Sequence, residues 1–246
     1  MKQTLSQSAL TVIKAYKSLQ FGDNQVCTPY FNNKRQKVRG ALRVLVGKGT
    51  PEEIVEEAKL MAVRAHVDLD MLNAVELNTF LIDHYLGVDC SGFVYHVLNA
   101  EVHARTGKKL KSFLKFPNRS IIRKLLAILR TVENTNVKIL AHDKNSSNVK
   151  LVDVKPGDII TMIGSKKVGN PDHVLLIESA IENKITYVHS YKFSTDGKYS
   201  HGIKHGSITL TDDSKKIEEQ SWDETEMLQA LKEANDVHIK RLYGCA

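Results

Sequence analysis

The chain is poor in cysteine: Cys27, Cys90 and Cys245 are the three in 246 residues, and no two form a Cys-x-x-Cys pair. They are too few and too scattered for a disulfide framework, and they argue against a cysteine-rich structural zinc site. The odd number leaves at least one free thiol, which fits a reducing compartment or a thiol with chemistry to do. No apolar run approaches about 18 residues, so no transmembrane helix is expected. The opening MKQTLSQSAL lacks the continuous apolar stretch and small-residue cleavage site of a secretory signal. A cytoplasmic location is therefore expected, with non-classical export left open. Repeats and low-complexity linkers are also missing, which favours one domain over 1–246.

Apolar residues make up 42% of the chain and charged residues 26%, enough to bury a core and to exclude a collagen-like or largely disordered chain. The net charge of +7 points to an anionic partner without naming it. That charge is unevenly spread. Residues 101–130 hold nine Lys and Arg against one Glu, and residues 31–50 hold six against none, so the remainder is net −7. An anionic surface or polymer is the partner these two basic segments would suit.

The first half reads as helix. Leu5, Ala9, Val12, Ile13, Tyr16 and Leu19 form a helix-spaced stripe. A second helix is expected from Thr50 as cap, Pro51 in the first turn and the acids Glu52 and Glu53. A third stretch spans about 70–84. The second half changes period: 158–163, 173–178, 185–191 and 206–211 are short, β-branched and separated by turns, as in an antiparallel meander. Residues 223–234 return to helix, and VHIKRLY closes as a strand. Helices followed by strands indicate an α+β fold.

The stretch most specific for chemistry is Asp89-Cys90-Ser91-Gly92-Phe93-Val94. Val94, Val97 and Leu98 continue it as a helix beginning at the cysteine. There the unsatisfied N–H groups and the positive end of the helix dipole favour thiolate. A lone cysteine is more often a buried structural residue, but polar, turn-forming neighbours suit an exposed elbow better. A cysteine nucleophile needs a base, and the base an orienting partner. His173 opens a strand after the turn Gly169-Asn170-Pro171-Asp172, and a hairpin through Ile181–Lys184 can set His189 beside it. The remaining histidines are read as core or surface.

These residues resemble the NlpC family of papain-like cysteine peptidases. The likeness rests on DCSGFV at 89–94, KPGDII at 155–160, HVLLI at 173–177 and YVHS at 187–190, in the family's order. It implies a papain-like fold, with the nucleophile helix packed on an antiparallel sheet and extra N-terminal helices, and insertions at about 31–84 and 101–148. It further implies Cys90 as nucleophile, His173 as base, His189 as orienter, and no cofactor or metal. The family also carries a tyrosine before the cysteine, followed by Trp-Gly-Gly. Here Thr28-Pro29-Tyr30 is followed by Phe31-Asn32-Asn33, and Tyr85 is the rival for that role. Tyr30 is slightly favoured and, with Ser91, is assigned to the substrate and oxyanion side of the site. Asp89, Ser91 and Asp158 are read mainly as shaping turns.

The activity implied is amide hydrolysis through an acyl-enzyme, on peptidoglycan stem peptides or muropeptide fragments. The alternatives are an acyltransferase or deamidating enzyme on the same machinery, a non-catalytic binding module, and a zinc site built from Cys90 and the two histidines. The segment RSIIRKLLAILR at 119–130 is a basic amphipathic helix. Its default reading is a helix packed on its own domain with a solvated basic edge; its rival is a helix that binds an anionic membrane or a partner.

Overall fold

A computed structural model of the 246-residue chain describes residues 4–32, 43–117, 120–166 and 172–246. The turn residues 169–171, Arg119 and the 33–42 part of the first basic segment lie outside the described residues. The chain forms α1 (Gln7–Lys17), the small hairpin β1 (Leu19–Phe21) and β2 (Asn24–Val26), then α2 (Pro51–Ala65), α3 (Ala74–Asp83) and α4 (Cys90–Thr106). Next come α5 (Ile121–Leu129), α6 (Thr131–Asn134), α7 (Val137–Ala141) and β3 (Ser146–Asn148). Strands β4 (Ile159–Ser165), β5 (His173–Ile181), β6 (Lys184–Tyr191), β7 (Gly202–Thr209) and β8 (Ser221–Trp222) follow. The chain closes with α8 (Thr225–Glu233) and β9 (Ala234–Leu242). The architecture is α+β, and among the described residues no helix is long and apolar enough to cross a membrane.

Local chemistry sets the helix starts. Thr50 and Glu53 form a reciprocal capping box on α2, with Pro51 in its first turn, and Asn73 with Glu76 does the same for α3. That second cap corrects the expectation of one helix over 70–84. Leu69–Met71 is a separate 3-10 turn, and the α-helix begins only after Asn73. Asp89 caps α4 by accepting from Gly92 N–H at 2.6 Å, and Gly107, at φ 70°, ends it.

The large sheet is antiparallel, in the order β3-β9-β4-β5-β6-β7-β8. The meander expected from the sequence is β4 to β7. Its last strand lies four residues earlier than 206–211 at its start, and β9 inserts between β3 and β4. Period-two alternation divides the strands between two cores. Val174, Leu176 and Val188 pack with α1 and α4, while Leu175, Ile177, Ile185 and Tyr187 join Met227 and Leu231 of α8. α4 is therefore buried on two sides, between α1 and the sheet. Glu101, wholly buried on α4, accepts from Ser6 N–H at 2.7 Å and Arg105 Nε at 2.7 Å and so fastens α1 to α4. Asp158, in the turn entering β4, takes both Arg241 Nε (2.7 Å) and a terminal guanidinium nitrogen (2.8 Å) from β9.

Candidate active site

Cys90 sits at the first position of α4, in the layer that faces Val174 and Val188. The approach of α4 to the preceding segment is close: a Cβ on Gly92 would lie 2.6 Å from the Gly47 carbonyl oxygen. Only glycine allows that contact, which gives the glycine of the Asp-Cys-Ser-Gly motif a physical reason. The contact brings in Lys48, buried beneath the helix start. Its Nζ donates to Asp89 Oδ1 at 2.9 Å, Ser91 Oγ at 2.6 Å and the Thr135 carbonyl at 2.9 Å. The Ser91 hydroxyl in turn donates to Asp89 Oδ1 at 3.1 Å. The Ser91 hydroxyl is thus engaged within the turn, between Lys48 and Asp89.

The helix end does not leave a thiolate in this buried arrangement. Burial, and then the Asp89 charge, push the Cys90 thiol up to about 12, outweighing Lys48 and the backbone hydrogen bonds of Val174 and Ser91. The thiol is a protonated, 4% exposed group that needs a base.

His173 and His189 are both wholly buried and lie on the α8 face of the sheet, in line with Leu175 and Tyr187. The β5–β6 register makes them diagonal neighbours, with His173 Nε2 3.0 Å from His189 Nδ1. His189 Nε2 then lies 3.0 Å from Glu224 Oε2, which also accepts from the Tyr187 hydroxyl at 2.8 Å. Tyr187 passes over Gly206, its partner on β7, where a side chain would collide with the phenol ring.

Proton positions follow from the far end of this chain. A carboxylate can only accept, so His189 Nε2 carries the hydrogen, and in the neutral ring His189 Nδ1 is a lone pair. His173 must then donate from Nε2, which leaves its Nδ1 bare. That Nδ1 is buried and has no hydrogen-bond partner among the described residues. Burial, followed by the neighbouring His189, holds the His173 pKa well below its usual 6.5, so the ring is neutral.

Sequence reasoning missed Glu224, which looks like an ordinary acid before a helix; its position at the N-cap of α8 was the available signal. Lys48 was counted among surface charges. Tyr191 was missed as well: its ring packs 4.4 Å from His173 and 5.9 Å from Tyr30. Burial pushes both tyrosine hydroxyls up, and a thiolate at Cys90 would push them further. The two histidines are therefore joined directly. Cys90, in the α4 layer, meets the same strands through a backbone hydrogen bond with Val174 and its nearness to Tyr191, and its Sγ makes no hydrogen bond to His173 Nδ1. Tyr30 lies next to the thiol, whereas Tyr85 is 63% exposed and packs on Phe31. Both tyrosines line one cavity of about 240 Å³, with Asn32, Lys192 and His201. Among the described residues no group of three or more His, Cys, Asp or Glu is arranged to hold a metal ion. No protein-family model matches the chain, and no curated protein or solved structure matches it.

Proposed function

We propose that the protein is a cysteine hydrolase of the NlpC type that cleaves an amide bond through an acyl-enzyme. One observation carries this reading: the Glu224–His189–His173 chain leaves a bare, unpartnered imidazole nitrogen on the strand whose next residue, Val174, hydrogen-bonds the helix-terminal thiol through its backbone. A buried acceptor without a donor is a cost that a purely structural histidine would avoid. A base awaiting a proton accounts for it.

In the proposed reaction His173 Nδ1 takes the Cys90 proton as Sγ attacks the amide carbonyl. The imidazolium formed is stabilised through His189 by the Glu224 carboxylate. Backbone N–H groups at the start of α4 hold the oxyanion. The proton on Nδ1 then passes to the leaving amine, and water activated by the same nitrogen releases the acyl group. The cavity beside Tyr30 suits a peptide chain, with Lys192 available to a carboxylate on it. Stem peptides and muropeptide fragments are the proposed substrates, on the strength of the DCSGFV, HVLLI and YVHS motifs. Mass spectrometry of muropeptides and simple peptides after incubation tests this. Products from the parent chain and none from Cys90→Ala are expected, and equal turnover by the two would refute the assignment.

A further inference from the structure

Helix α5 is built the wrong way round for a soluble surface. At 100° per residue, Ile121, Ile122, Leu125, Leu126, Ile128 and Leu129 fill an arc of about 160°. All six are between 53% and 86% exposed. Ala127, the helix's one buried residue, projects opposite the centre of that arc and packs in a small cluster with Phe116 and Ile139. The default expectation for this segment, a helix packed on its own domain with a solvated basic edge, is thus reversed. The apolar arc faces out, and the thin Ala127 side faces in.

Cations gather beside the helix at two hollows that share Ile128. One is lined by Arg43, Lys109 and Lys111 beside Ile128 and Leu129. Another is lined by Lys115, Lys124 and Lys144 beside Ile128. Glu133, which shares the first hollow, is paired with Arg130 at 3.4 Å. Arg43, which is paired with Glu53 at 3.2 Å, belongs to one basic segment of the sequence and the lysines at 109–124 to the other, so the fold brings residues of both to one ridge, where the lysines carry the excess charge. A second copy of the chain would set these like charges against one another.

We propose that α5 is a membrane-surface helix. It lays its apolar arc at the headgroup–acyl boundary of an anionic bilayer, with the flanking Lys and Arg side chains on lipid phosphates. At nine residues it is far too short to span, so it lies in the interface plane.

Flotation of the full chain with phosphatidylcholine vesicles, and with vesicles that also contain phosphatidylglycerol, tests this. Binding is expected with the anionic vesicles alone and should fall steeply as salt is raised. Leu125→Ser with Leu129→Ser should abolish it while leaving the urea midpoint unchanged. Lys115→Gln with Lys124→Gln should weaken it by about five-fold per charge removed. Binding to neutral vesicles as strongly as to anionic ones would overturn the proposal, as would no binding to either. A wild-type dimer in light scattering that the serine variant disperses would assign the ridge to a second copy instead.

Discussion

Replacing Lys48 by Met should be among the most damaging single changes in this protein. The ammonium is inside, with side-chain exposures of 6% for Lys48 and 11% for Asp89. The substitution removes three hydrogen bonds, to Asp89, Ser91 and the Thr135 carbonyl, and leaves a carboxylate without its countercharge. Breaking a buried pair on one side costs about 3–5 kcal/mol. Asp89 keeps the Gly92 N–H, the Ser91 hydroxyl and the helix N-terminus, which together offset about 1 kcal/mol. A net loss of roughly 2–4 kcal/mol remains, or a Tm lower by about 5–15 °C for a chain of this size. Adding Asp89→Asn removes the orphaned charge and keeps a capping side chain, so the double variant should recover about half of the loss. Urea titration of the three variants measures this. A single-variant loss below about 1 kcal/mol, or a double variant worse than the sum of its parts, would show that the pair is not the buried anchor described. Because Lys48 opposes Asp89 at the thiol, Lys48→Met should also slow alkylation of Cys90 by iodoacetamide.

Other expectations follow from the same contacts. His173→Ala should reduce turnover nearly as far as Cys90→Ala, and His189→Ala less. Glu224→Gln should cost about 10²–10⁴-fold in kcat, because an amide can donate to His189 and so reverse the tautomers along the chain; unchanged kcat would show that the carboxylate is idle. Stability should fall on acidification below pH 6.5. His173, His96 and His201 are held below their usual 6.5 chiefly by burial, so the unfolded chain binds protons that the folded one does not. Each group contributes a slope of up to about 1.4 kcal/mol per pH unit. Urea midpoints measured from pH 7.5 down to 5 test the sign, and a flat profile would contradict it. Gly206→Ala should shift Tyr187 away from Glu224 and lower both stability and turnover, with circular dichroism separating misfolding from a local change.

Several features were legible in the chain because they depend on a few neighbouring residues. The Thr50 cap, the helix start at Cys90, Pro51 in the first turn of α2, and the strands at Ile159 and His173 are of this kind. So is the pairing of His173 with His189, which needs one hairpin and the period-two rule. The thiol's protonation state was not legible. The helix terminus favours thiolate, but the opposing desolvation depends on how deeply α4 is covered by α1 and the sheet.

By itself, the sequence determined an α+β chain with a cysteine at a helix start and two histidines across a hairpin, since those features follow from local spacing and alternation. Tertiary structure decided which charges those groups meet. It buried Lys48 under the Asp89–Gly92 turn and brought Glu224 from the start of α8 to His189. It also turned α5 so that its leucines and isoleucines face out. Each of these depends on which distant elements pack together, and packing of that kind leaves no period in the sequence. The basic excess of the chain therefore divides by position: Lys48 serves the core, and the cations beside α5 serve the surface.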